Sequence, residues 1–264
     1  MNIPLPSPSI SGLRKSLIES AEESNIELSF CKNADEVDVE KIDGIIAVGR
    51  FLSAELEKMK QLGIQVLFVD SNPDPHEFNS IQPNLQMMVE TAIEYFVQAG
   101  YQKIGFIGGR SWDSTEGRNV LRDTRTRCFE SRARELGLFN QNYVFIGDNF
   151  SVDSGYQVGR EIVGKIRDDL PQAFLVASDP LAVGVLQAFN ENKLTVPEDV
   201  SMISINDIDI AKYVSPPLTT FRIDTEELGK VAIETLRNLI VAPKKSKRMI
   251  LLDADLVFRK SFSI

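Results

Sequence analysis

Short apolar runs alternate with helical repeats along most of this chain, and that alternation leaves few folds open. The runs are Ile45–Val48, Val66–Val69, Lys103–Ile107, Tyr143–Ile146, Ala173–Ala177 and Met202–Ile205. Each is apolar enough to be buried on both faces, as parallel strands covered by helices must be. Between them lie amphipathic stretches. Leu228, Val231, Ala232, Thr235, Leu236 and Leu239 fall at i, i+3, i+4, i+7, i+8 and i+11, one apolar stripe of a helix. Met88, Ala92, Tyr95, Phe96 and Ala99 repeat that spacing before a break at Gly100. Strand and helix in alternation predict a doubly wound α/β architecture. Towards the end, Ile250, Leu252, Ala254, Leu256 and Phe258 alternate with polar or smaller residues, which predicts one late strand with a less buried face.

One helix start is unusually clear. The run Ala173–Ala177 leads through Ser178, Asp179 and Pro180 into a nearly apolar helix over Leu181–Phe189. Proline suits the first helical position, and Asp179 is placed to cap the free amides. In open α/β sheets ligands bind beyond the carboxyl ends of strands, and Ser178 stands at such an end.

Composition excludes several functions. With 264 residues, 43% hydrophobic and 25% charged, the chain can bury the core of one large domain or two modest lobes. A net charge of -9 argues against direct DNA binding, which needs clustered Lys and Arg. The densest basic run, Lys244-Lys245-Ser246-Lys247-Arg248, reads as a solvated loop. No segment approaches the roughly 18 apolar residues of a membrane span. The start, Met1–Pro8, has neither the basic nor the apolar region of a signal peptide, so a cytoplasmic protein is expected. Cys31 and Cys128 are far apart, without metal-ligand spacing, and are expected as free, buried thiols.

Catalytic patterns are mostly missing. The single histidine, His76, lies in a turn-like Asn72–His76 stretch without a nucleophile elbow. One His and two separated Cys leave no basis for a metal site, and no cofactor motif is complete. Gly159–Lys165 has phosphate-loop spacing, but Ile166 stands where the metal-binding Ser or Thr belongs, inside a helical pattern. Gly105–Gly109 follows a strand yet lacks the full dinucleotide motif, and is expected as a flexible exit from that strand. The pairs Asp207/Asp209 and Asp253/Asp255 are expected to be solvated. No enzyme is expected.

Five residues of the types that sugars need fall just after strands or at the start of the next helix: Asp70, Arg125, Phe150, Ser178 and Asn206. Sugars present dense hydroxyls and apolar C–H faces, which call for fixed polar groups and an aromatic plate. Each residue alone has a plainer reading, as helix salt bridge, core residue or turn former.

Several longer segments carry a resemblance. Gly100–Gly109 is similar to the segment that leads into the second lobe of LacI/GalR regulators. Val196–Asp207 resembles their "vPedvsvigfDd" stretch, Ser215–Thr220 their "P-x-LTT" crossover, and Leu256–Ser261 their "LvxRxS" ending. With Ala177–Gly184, the matches keep their order from about residue 40 to the end. The chain is therefore identified as similar to the LacI/GalR effector-binding domain, a relative of periplasmic sugar-binding proteins. The Asn206–Ile208 and Gly147-Asp148 regions look most like galactose-operon and evolved-β-galactosidase repressors.

The resemblance implies two doubly wound parallel-sheet lobes joined by a multi-crossover hinge, the periplasmic-binding-protein-like type I fold. The expected division is 1–82 with 222–242, and 83–221 with 243–264. It implies a sugar bound between the lobes, a galactose or β-galactoside, that controls operator binding by a homodimer. Arg125 falls at the family's clamp for effector hydroxyls, Asn206 at its Asp or Asn acceptor, Phe150 near its stacking aromatic, and Asp70 at an acidic strand exit. Ser178 replaces the more usual Asn, which removes a bidentate partner. The family's helix-turn-helix head and opening apolar strand have no counterpart before Ser11, so operator DNA is expected to be met only through a head outside this sequence. A sugar-binding protein of a transport system is the alternative.

Overall fold

The computed structural model describes residues 8–31, 34–49, 51–113, 118–120 and 123–262. The chain divides into two compact units: Met1–Pro83, Asp113–Arg118 and Asp224–Leu252 form the first, and Asn84–Trp112, Asn119–Ile223 and Asp253–Ile264 the second. Both are built on mainly parallel sheets flanked by helices, the architecture expected from the alternation.

The first unit holds the strands β1 (Gly44–Val48), β2 (Gln65–Val69), β3 (Asn79–Pro83) and β11 (Met249–Leu252), paired in that order and all parallel. The helices α1 (Pro8–Glu23) and α7 (Thr225–Val241) share a core with them through Leu13, Leu17, Leu228, Ala232 and Ile233. α2 (Ser53–Gln61) buries Leu56 and Met59 against Phe68 and Phe78. β3 escaped the sequence reading because Asn79-Ser80-Ile81-Gln82-Pro83 has little apolar character. Its buried polar groups are satisfied laterally instead: Asn79 Oδ1 accepts the Arg248 amide at 2.9 Å, and Ser80 Oγ accepts Asn72 Nδ2 at 2.8 Å.

The late alternating segment is two strands, not one. β11 pairs with β3 in the first unit, whereas β12 (Asp255–Val257) pairs antiparallel with β10 (Thr219–Arg222) in the second. Residues 243–252 therefore belong to the first unit, which corrects the division expected above. Alternation reports which faces are buried, but not which sheet edge supplies the backbone partners.

The second unit has a six-stranded sheet in the order β12, β10, β9 (Ser201–Asn206), β8 (Ala173–Val176), β4 (Ile104–Gly109), β7 (Val144–Gly147). A short pair, β5 (Ser111–Asp113) and β6 (Arg118–Val120), stands apart. The helices α3 (Leu85–Gln98), α4 (Thr124–Glu135), α5 (Val152–Ile166) and α6 (Asp179–Glu191) complete the unit. Phe96, Phe106, Phe129, Phe174, Phe189, Phe221 and Phe262 are fully buried in its core.

The glycine with phosphate-loop spacing has a packing reason. A Cβ on Gly159 would lie 2.7 Å from Ala188 Cβ, because α5 and α6 touch closely there. Gly184 is tighter still, its Cβ position lying 2.0 Å from Val152 O and 2.4 Å from Tyr156 N. Those atoms are backbone and cannot step aside singly. Gly184→Ala should therefore destabilise at the upper end of the roughly 1–3 kcal/mol typical of overpacking. Gly164 has nothing within 4 Å of its Cβ position, so Gly164→Ala should instead stabilise by about 0.5–1 kcal/mol through helix propensity. Urea midpoints of the two variants should move in opposite directions.

Cys31 is exposed and Cys128 half-buried, so neither thiol is a core residue. Gly108 and Gly109 are the buried end of β4 rather than a flexible exit. Among the described residues, no helix is long and apolar enough to cross a membrane.

Candidate functional site

The second unit gathers polar groups where its parallel strands end. Asp123 caps α4, its Oδ1 accepting the amides of Arg125 at 2.9 Å and Thr126 at 3.3 Å. Its Oδ2 accepts Arg125 Nε at 2.8 Å and pairs with Nη2. Arg125 Nη1 donates to the carbonyl of Ala177, just past β8, at 2.6 Å. The guanidinium lies over the Phe150 ring, 4.5 Å from its centre. The side chains of Arg125 and Asp123 are only 14% and 8% exposed, so the fork is held from three directions. Of the five N–H bonds of a guanidinium, two remain without a partner among the described residues.

The loop carrying Phe150 comes this close because β4 ends in glycine. A Cβ on Gly109 would meet Asn149 O at 2.5 Å and Phe150 Cγ at 3.1 Å.

Ser178 and Asn206 end adjacent strands, each the third residue beyond the paired Leu175 and Ile203. Ser178 is the N-cap residue of α6 but makes no capping hydrogen bond. Its buried Oγ, like Asn206 Oδ1, lacks a hydrogen-bond partner among the described residues. Buried polar atoms are nearly always paired, so these two oxygens at neighbouring strand ends stand out as candidate partners for a ligand. Arg125, Phe150 and the Ala177-Ser178 strand end are thus brought together, with Asn206 on the next strand. Asp70 belongs to the first unit, at the end of β2, where it is exposed with φ of 65°.

Two carboxylates behave unlike their sequence reading. Asp179 does not cap α6; Oδ2 accepts the Ile208 amide at 2.8 Å and Oδ1 the Thr220 hydroxyl at 2.7 Å. Asp207 is not solvated. Its side chain is 2% exposed and pairs with Arg259 Nη2 at 2.6 Å and Arg222 Nε at 2.9 Å. Asp209, two residues on, is solvated as expected, with its side chain 92% exposed. Sequence reasoning missed Asp123 as the group that aims Arg125, although Asp123-Thr124-Arg125 at a helix start carries the signature of a cap.

Burial pushes the Asp179 carboxyl up to about 6, partly opposed by the Ser204 hydroxyl and by the Thr220 and Ile208 hydrogen bonds. A carboxyl raised in the folded state binds more protons folded than unfolded between the two values. Its contribution therefore worsens as pH rises from about 4 to about 6, then levels off, by about 3 kcal/mol in total. Asparagine keeps both contacts without charge: Oδ1 can accept the Ile208 amide and Nδ2 can donate to Thr220. The stability of Asp179→Asn relative to wild type should rise across that pH window and then stay flat. Denaturant titrations at pH 4.5 and 7.5 measure this, and a pH-independent difference would count against it.

Among the described residues no group of three or more His, Cys, Asp or Glu is arranged to hold a metal ion. Residues 93–262, which take in most of the second unit together with α7 and β11 of the first, match the family described as periplasmic binding protein-like domain. The chain is 37% identical over 253 residues to the HTH-type transcriptional regulator GanR of Bacillus subtilis (strain 168), covering 95% of this chain and 76% of that protein. It is 37% identical over 254 residues to the HTH-type transcriptional regulator LacR of Lactobacillus helveticus, covering 95% and 75%. The chain belongs to the LacI/GalR family of regulators. Its fold is shared with a solved LacI family transcriptional regulator, CCPA, from Weissella paramesenteroides with bound sucrose, at a TM-score of 0.81. That likeness has 18% identity and covers 98% of this chain and 95% of the other. Within this LacI/GalR domain, the family match includes Arg125, Phe150, Ser178 and Asn206, whereas Asp70 lies outside it.

Proposed function

We propose that this LacI/GalR domain senses a sugar on the wall formed by Arg125, Ser178 and Asn206, and does not turn it over. The observation that carries the reading is the guanidinium of Arg125, held on three sides with two N–H bonds that have no partner among the described residues, in the same unit as the Ser178 and Asn206 oxygens that likewise lack one there. Two fixed N–H donors suit the hydroxyls of a pyranose, and Ser178 Oγ and Asn206 Oδ1 supply further partners. Phe150 supports the guanidinium with one ring face and is the site's aromatic surface.

The effector class is galactose or a β-galactoside. That the Weissella regulator holds sucrose supports a sugar in this fold. The regulator names of the relatives favour gene control over transport. The mechanism is linkage: a sugar with different affinities for two arrangements of the regulator shifts their populations. About 1–3 kcal/mol of coupling suffices to change operator binding by a homodimer with DNA-binding heads.

A thermal-shift panel of galactose, lactose and allolactose, with ribose and sucrose as comparators, tests the reading. A ligand at 100 times its Kd should add about 2.7 kcal/mol and raise Tm by several degrees. A flat response to every sugar removes the proposal.

A further inference from the structure

Asn206 and Asp207 hold φ angles of 121° and 53°, both in the left-handed half that side chains avoid. Two such residues in succession persist only when their surroundings over-determine the backbone. The surroundings are specific. The Ile208 amide donates to Asp179 Oδ2 at 2.8 Å. The Asp207 amide donates to Thr220 Oγ1 at 3.4 Å, and that hydroxyl donates to Asp179 Oδ1 at 2.7 Å. Two of the turn's tethers therefore end on one carboxylate. The third, from the Asp207 side chain, runs to Arg222 and Arg259. Asp179 is itself held in the buried first turn of α6 with no exposed surface, so it cannot touch a ligand.

We infer that Asp179 is a positioning residue for the effector site: it clamps the Asn206–Ile208 turn in the backbone arrangement that presents Asn206. The inference rests on the sugar-sensing reading above and names what makes Asn206 usable. The role needs two acceptors, or one acceptor and one donor, in fixed places. Asparagine meets that requirement and alanine does not.

The test combines a ligand measurement with a ligand-free one. In calorimetric titrations with galactose and lactose, Asp179→Ala should weaken binding about tenfold or more, the scale of one lost hydrogen bond. Asp179→Asn should restore it to within about threefold of wild type. In a double-mutant cycle, Asn206→Ala should add little once Asp179 is alanine, because the clamp acts only through Asn206. A merely structural carboxylate would give independent effects and no rescue. Without ligand, the Ile208 amide should exchange with solvent faster in the alanine variant and not in the asparagine one.

If the alanine variant does not fold, Thr220→Val cuts the hydroxyl links alone and should weaken binding about threefold to tenfold. Wild-type affinity in Asp179→Ala, effects that simply multiply with Asn206→Ala, or unchanged Ile208 exchange would each overturn the inference. Wild-type protein that binds none of the panel sugars overturns the sensing reading instead, and the exchange result still decides whether the clamp exists.

Discussion

Arg125→Ala should abolish sugar binding while the second unit stays folded. The two N–H bonds of the guanidinium that have no partner among the described residues are charge-assisted donors worth about 1.5–3 kcal/mol each when a partner arrives. Their joint loss corresponds to roughly a hundredfold to ten-thousandfold in Kd. Asp123 keeps the amides of residue 125 and Thr126, so α4 remains capped without the guanidinium. Losing the guanidinium leaves the largely buried Asp123 carboxylate without its cation and should cost about 3–5 kcal/mol, at or below the low end of the roughly 5–15 kcal/mol by which domains are stable. Arg125→Lys separates charge from shape, because an ammonium cannot hold Asp123 and two hydroxyls in one plane. It should recover little affinity. Calorimetry of both variants, with circular dichroism as the check on folding, is the measurement; an alanine variant that binds sugar normally would remove Arg125 from the site.

The largest stability effect should come from Asp207. Its buried carboxylate joins Arg222, whose side chain is 54% exposed, to Arg259, which is 14% exposed. The solvated Arg222 arm contributes little. The Arg259 arm is different, since that guanidinium would keep only the Leu218 carbonyl at 2.8 Å as its side-chain partner among the described residues. Removing one member of a buried pair costs about 3–5 kcal/mol. Alanine at φ of 53° adds the left-handed penalty of roughly 1–2 kcal/mol. Asp207→Ala should lower Tm by about 10 °C or more, at roughly 2–4 °C per kcal/mol for a unit of this size. Asp207→Asn tolerates the same backbone better and keeps an acceptor for Arg259, so it should lose distinctly less. Melting curves of the two variants decide the matter: an alanine variant within about 3 °C of wild type would show that Arg259 finds other partners.

Both predictions concern groups that were only half legible in the sequence. Ser178 and Asn206 were readable as strand-end residues because their runs are apolar and end abruptly, whereas Arg125, the second residue of α4, was placed by the family resemblance. Their partners were not. Asp123 lies in local sequence and could have been recognised as a cap, yet nothing in the sequence says that its second oxygen aims the guanidinium. Thr220 and Ile208 are far along the chain from Asp179, and a contact between distant residues leaves no periodic trace. Asp207 read as a solvated turn residue because its two arginines arrive from β10 and from the segment after β12.

The strands show the same division. Ile45–Val48 and Ala173–Ala177 announce themselves because burial on both faces demands apolar side chains at every position. β3 does not, since its neighbours supply hydrogen bonds in place of apolar contact. The alternation from Ile250 to Phe258 is real, but its allocation to two sheets depends on which edges are open when the chain returns. Local burial requirements, written residue by residue, determined the α/β class and the strand-end positions. Partner choice for each carboxylate, guanidinium and late strand was decided only in three dimensions, because hydrogen bonds are satisfied by whatever folding brings near.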